Sequence, residues 1–142
     1  KRLRQSIEKY DPAGNWIHYH GAVNYHELHL MYAQADLGLF ASSCENMPNI
    51  LLETMAAGLP IAASNMGPMF EVLGDAGVYF DPTKPTEIAS TIEALVISPE
   101  LRSINATNSY ERVQQFSWQR CAEETFAFLA RIAQQQSIQK YG

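Results

Sequence analysis

Between Lys9 and Lys84 the sequence has no lysine and no arginine, and the chain as a whole carries a net charge of −5. Nucleic-acid surfaces need clustered cations, so that class of partner is excluded. An anion held by the central region must instead meet backbone N–H groups and a helix dipole, with any full counter-charge supplied from elsewhere. Cysteine is equally scarce. Cys44 and Cys121 are far apart and form no CxxC, which rules out a disulfide scaffold and points to a reduced, cytoplasmic setting. Cys44 is expected as a small half-buried residue rather than a reactive thiol. No apolar run reaches membrane length, and no signal pattern opens the chain. There is no Gly-x-Ser-x-Gly elbow, so Ser42 and Ser43 read as polar loop residues rather than nucleophiles. No internal repeat or low-complexity linker interrupts the 142 residues, a length that suits one domain with a real core.

What is present is an alternation of short apolar runs with helical periodicity. Residues 1–9 read as the end of a basic helix, and 11–15 as a turn. Strands are expected at Trp16–His20, Asp36–Ala41, Leu59–Ala63 and Val78–Phe80. Helices are expected at Glu27–Ala35, 49–57, Pro68–Leu73, Thr86–Ile97, Pro99–Gln115 and from Trp118 to about Gln135, leaving 136–142 as a polar tail. Such alternation predicts an α/β fold, a Rossmann-like parallel sheet with flanking helices. Ligands of such sheets bind beyond the carboxyl ends of the strands, so the Ser42–Pro48 and Ser64–Gly67 loops are expected to line one crevice.

One segment stands at that crevice with chemistry to offer: Glu45-Asn46-Met47-Pro48-Asn49-Ile50-Leu51-Leu52-Glu53. A carboxylate only accepts hydrogen bonds, so it suits sugar or ribose hydroxyls, which donate. Glu45 lies on a turn and Glu53 about one turn into a helix whose first amides, near Asn49, Ile50 and Leu51, lack intrahelical partners. On spacing alone, an equal reading is a solvated loop acid and a first-turn acid complementing the helix dipole.

The surrounding residues favour the first reading. The run Tyr32–Pro60, YAQADLGLFASSCENMPNILLETMAAGLP, resembles the nucleotide-sugar-binding domain of GT-B fold glycosyltransferases of family 4. Ser64-Asn65-Met66-Gly67, Glu71-Val72, Gly74-Asp75-Ala76-Gly77, Phe80-Asp81-Pro82 and Phe116-Ser117-Trp118 extend the match, and Tyr19-His20-Gly21-Ala22-Val23 is similar to the end of an upstream strand in that family. The resemblance implies that Glu45 contacts donor-sugar hydroxyls and acts in catalysis. It also implies that the backbone of Asn46, Met47 and Pro48 wraps the sugar. The amides of Asn49, Ile50 and Leu51 meet the diphosphate, Glu53 holds the ribose, and backbone around Gly21 to Val23 lies near the base. It implies a retaining, metal-independent hexosyltransferase with no cofactor. The partners are then a nucleotide-diphosphate sugar and a glycan, lipid or small-molecule acceptor bound by another domain. The family usually has glycine where Asn46 stands, so an unusual backbone angle is expected there.

The resemblance further implies that residues 1–135 are part of a C-terminal donor-binding domain. The diphosphate-clamping cations and the acceptor domain then lie upstream of Lys1, and the fragment is inactive alone. The location it implies is cytoplasmic, or peripheral at the inner face of a membrane. An apolar face of the last helix, with Trp118, Phe126, Phe128 and Leu129, is expected to be exposed and to favour self-association. The aromatic residues Tyr25, Tyr32, Tyr79, Phe80 and Phe126 read as core or interface. His18, His20, His26 and His29, with Glu27 near, form a weaker zinc candidate. The alternative to an enzyme is a non-catalytic nucleotide-sugar-binding or interaction module; a nucleotide-sugar epimerase is a more distant one.

Overall fold

The computed structural model describes residues 2–141, with side chains through residue 136. The chain divides into two compact units, residues 1–31 and 32–142.

The second unit is built on a parallel sheet of β1 (Gly38–Phe40), β2 (Ile61–Ser64) and β3 (Val78–Phe80), in the order β1-β2-β3. Ala62 of β2 stands opposite Leu39 on one side and Val78 on the other. All four residues of β2 are buried. Because strand side chains alternate, β2 feeds two cores. Ile61 and Ala63 join Leu51, Met55, Met69, Leu73 and Val113, contributed by α3 (Asn49–Ala56), α4 (Met69–Leu73) and α6 (Pro99–Val113). Ala62 points the other way, to Phe80 and to Leu95 of α5 (Pro85–Ile97). Covering on both faces is what the unbroken apolar character of residues 59–63 requires.

Polar side chains of α6 hold the entrance of β2. The Ile61 amide donates to Asn105 Oδ1 at 2.8 Å, and the Ser109 hydroxyl donates to the Leu59 carbonyl at 3.1 Å. The Ser109 hydroxyl shares its one hydrogen with the Ala106 carbonyl at 3.0 Å, and both α6 residues are buried, so these bonds serve backbone groups that water does not reach. Proline opens α5 and α6, and the Ser98 hydroxyl caps α6 by accepting from the Leu101 amide at 3.2 Å. Arg102 closes α5 by donating to the carbonyls of Leu95 and Val96. Arg112 does the same for α4, donating through Nε to the Val72 carbonyl at 2.6 Å and through Nη2 to the Glu71 carbonyl at 2.8 Å. The chain turns away from α4 at Gly74 (φ 56°, ψ −133°), where a Cβ would stand 2.6 Å from the Arg112 guanidinium carbon. The Tyr79 hydroxyl donates to the Gly74 carbonyl, and its ring stacks on Phe70 with centroids 4.1 Å apart.

In the first unit, α1 (Arg2–Tyr10) leads to Asp11, and a 3-10 turn (Tyr25–Glu27) precedes α2 (Leu28–Tyr32), whose last residue belongs to the second unit. The strand expected at Trp16–His20 is absent. Its first amides are turned instead onto the Asp11 carboxylate, which accepts from Asn15, Trp16 and Ile17 at 2.9, 2.9 and 2.7 Å. A strand exists only where a neighbour takes its ladder bonds, and here a side chain takes them. Among the described residues three strands therefore stand where four were expected. The helix expected over Glu27–Ala35 ends at Tyr32. Asn24 starts its 3-10 turn, accepting from the His26 amide at 3.1 Å. Helix α6 stops at Val113 rather than Gln115, and α7 (Trp118–Tyr141) continues past the expected end near Gln135. Of the tail expected at 136–142, Gly142 and the side chains from 137 lie outside the described residues. Trp118, Phe126, Phe128 and Leu129 of α7 are exposed, as expected. No helix among the described residues is long and apolar enough to cross a membrane.

Candidate functional site

The Glu45–Glu53 segment leaves the carboxyl end of β1 as a loop and enters α3 at Asn49. Glu45 is exposed in the loop. The loop after β2 meets it: Gly67, in the left-handed conformation at φ 63°, presents its Cα so that a Cβ there would lie 3.8 Å from the Glu45 amide nitrogen. The Ser64 hydroxyl shapes that second loop by accepting from the Met66 amide at 3.1 Å. The two loops thus adjoin beyond the carboxyl ends of the strands, the position that parallel strands predict for them.

Asn46 and Met47 are exposed and Pro48 is buried. No non-glycine residue among those described has positive φ, so the unusual angle expected at Asn46 is not adopted. Asparagine stands there with an ordinary backbone. The helix start is narrower than expected as an amide donor. The Asn49 amide donates to the Met47 carbonyl at 2.9 Å, and the Leu51 amide to the Pro48 carbonyl at 2.9 Å. Of the three expected amides, Ile50 alone has no protein acceptor among the described residues. The Leu51 side chain lies in the core, whereas Ile50 is exposed.

Glu53 is half-buried on the second turn of α3, and its Oε2 accepts from the Tyr32 hydroxyl at 3.0 Å. Burial raises the pKa of Tyr32, and the hydrogen bond to Glu53 and its charge raise it further; a bond with Thr54 pulls it back in part. Tyr32 is therefore a firm donor at neutral pH. Sequence reasoning passed over this contact, because Tyr32 looked like one apolar position of a helix. Gly21, in the left-handed conformation at φ 71°, and Val23 belong to the first unit.

Every lysine and arginine of the second unit whose side chain is described is engaged away from the crevice segment. Lys84 pairs with Asp81 and Glu87, Arg102 and Arg112 close helices, Arg120 pairs with Glu124, and Arg131 lies over the Phe128 ring. Cys44 is exposed rather than half-buried, since its loop turns it outward. Phe80 is core and Tyr32 and Tyr79 are half-buried, while Tyr25 and Phe126 are exposed. His18, His20, His26 and His29 are all exposed, and among the described residues no three His, Cys, Asp or Glu side chains converge on one point.

Residues 1–112 match the family described as glycosyl transferases group 1. The chain belongs to this family. This group 1 chain is 32% identical over 123 residues to a protein of Escherichia coli named O-antigen chain mannosyltransferase B, covering 87% of this chain and 32% of that protein. It is 31% identical over 125 residues to an MMP alpha-(1->4)-mannosyltransferase of Mycolicibacterium hassiacum, covering 82% and 30%. A solved sucrose-phosphate synthase from Thermosynechococcus elongatus shares the fold with a TM-score of 0.80, at 22% identity, over 92% of this chain and 33% of that one. The fold is Rossmann-like and matches that of GT-B glycosyltransferases. The group 1 chain spans about a third of the length of the curated relatives it matches.

Proposed function

We propose that this chain is the donor-binding part of a retaining, metal-independent glycosyltransferase that moves a sugar from a nucleotide-diphosphate sugar to an acceptor. The observation that carries the reading is the Glu45–Glu53 segment, standing at the carboxyl end of β1 in a chain of this family. Glu45 accepts from hydroxyls of the donor sugar and sets its orientation for transfer, with the backbone of Asn46, Met47 and Pro48 around the ring. Glu53 accepts from the ribose hydroxyls. The start of α3 (Asn49, Ile50, Leu51) faces the diphosphate, with the Ile50 amide as its free donor and the helix dipole behind it. Backbone at Gly21 and Val23 serves the base. Stabilising a diphosphate leaving group requires full positive charge as well. The engaged cations of the second unit suggest that this charge comes from outside it, and a chain that spans about a third of its relatives' length is proposed to be inactive by itself.

The test is a titration of the full-length protein with uridine diphosphate glucose, guanosine diphosphate mannose and adenosine diphosphate glucose, followed by release of the nucleoside diphosphate with acceptor present. Saturable binding of one donor, abolished in a Glu45→Ala, Glu53→Ala double variant, is expected. Binding that survives both substitutions unchanged would remove the site assignment. Binding without transfer would favour the second reading, a non-catalytic nucleotide-sugar-binding module, which the engaged cations also suit. The exposed apolar residues of α7 suggest that the isolated chain self-associates, and sedimentation of the chain as a monomer at all concentrations would contradict that. A cytoplasmic location, free or peripheral at the membrane, suits a nucleotide-sugar donor.

A further inference from the structure

Glu53 has three rotatable side-chain bonds, and a carboxylate that must meet two vicinal hydroxyls works best when its plane is already set. Among the described residues one donor reaches that carboxylate: the Tyr32 hydroxyl, at 3.0 Å from Oε2. An ionised carboxylate has about four acceptor positions, so Tyr32 fills one and leaves Oε1 without a protein partner. Tyr32 is half-buried, which restricts its ring, while the acceptor keeps one oxygen open.

We propose that Tyr32 is a positioning residue of the donor site: its hydroxyl orients the Glu53 carboxylate so that the remaining oxygen meets the ribose diol. This rests on the ribose role of Glu53 proposed above. Tyr32 acts through Glu53 and touches no substrate, so its effect depends on the hydroxyls that Glu53 reads.

The experiment uses the full-length protein and calorimetric titration with UDP, GDP and ADP, then with the 2′,3′-dideoxy form of whichever binds. Tyr32→Phe is expected to weaken the ribonucleotide about fivefold and the dideoxy form by less than about twofold. Glu53→Gln is expected to weaken the ribonucleotide at least as much, and adding Tyr32→Phe to it is expected to change nothing further. Equal losses on both nucleotides in Tyr32→Phe would assign it a purely structural role and overturn the proposal. A loss in Glu53→Gln with none in Tyr32→Phe would overturn the role of Tyr32 alone. A Glu53→Gln protein that still discriminates ribose from dideoxyribose as before would overturn the ribose reading beneath it. Binding of none of the three nucleotides would overturn the donor site as a whole.

Discussion

Arg112 donates its Nε–H to the Val72 carbonyl at 2.6 Å, and its guanidinium fills the space where a side chain at Gly74 would stand. One arginine therefore closes α4 and dictates the residue that follows it. Arg112→Met leaves two carbonyls without their charged donor and is expected to cost roughly 1–3 kcal/mol. Gly74→Ala is expected to cost about as much, because φ 56° with ψ −133° is a region that L residues avoid. The two losses overlap. In an Arg112→Ala background the steric part of Gly74→Ala disappears and only the dihedral part remains. A double-mutant cycle by urea unfolding reads the difference, and strictly additive losses would contradict the shared space.

Asn105 offers a sharper stability test. Its side chain is the acceptor for a buried strand amide, so Asn105→Leu keeps the branched shape and orphans the Ile61 N–H. The expected destabilisation is about 1–3 kcal/mol, seen as a lower urea midpoint with an unchanged slope. Ser109→Ala removes a donor from a carbonyl that has a second lone pair, and is expected to cost less.

Tyr79 carries a pH dependence. Burial pushes its hydroxyl up to about 12; Arg112 pulls it back and Asp75 raises it further. A raised folded-state pKa means that the neutral phenol is the form the fold favours. Its contribution is complete below the ordinary tyrosine value of about 10 and is lost as the pH climbs through about 12. Tyr79→Phe is expected to flatten the alkaline limb of stability against pH. Ultraviolet titration in which Tyr79 ionises together with exposed tyrosines would contradict this.

At the site, Glu53→Ala is expected to weaken donor binding in the full-length protein by ~10-fold, the scale of one charge-assisted hydrogen bond. Glu45→Ala is expected to lower kcat more than it raises KM for the donor, because sugar orientation matters most in the transition state. Steady-state kinetics with the best donor separate the two patterns. Identical kcat and KM effects in both variants would undo the division of labour.

Much of the second unit is legible in the sequence because its signals are local. Residues 60–63 form a short unbroken apolar run, Pro48-Asn49 marks a helix start, and Pro85 and Pro99 open helices where helical spacing begins. What the sequence conceals depends on which of several competing hydrogen-bond partners wins. Trp16–His20 has strand composition, yet the Asp11 carboxylate captures its first amides. Tyr32 reads as an apolar helix position until the fold sets its hydroxyl against Glu53. The helix start at Asn49 looked like three free amides, but the turn at Met47 and Pro48 consumes two of them. Hydrogen-bond competition of this kind has no period or composition to read.

The bonds from Asn105 and Ser109 to the entrance of β2 also set an order of events during synthesis. As the chain leaves the ribosome, the Glu45 loop, α3 and β2 all emerge before α6. The amide of Ile61 and the carbonyl of Leu59 must wait for side chains that are translated much later. Until then water serves the inlet of the central strand, and the sheet lacks the helix that covers it there. A ribosome stalled before residue 105 would present an unfinished sheet with its middle strand bare, the form most open to chaperones and to proteolysis.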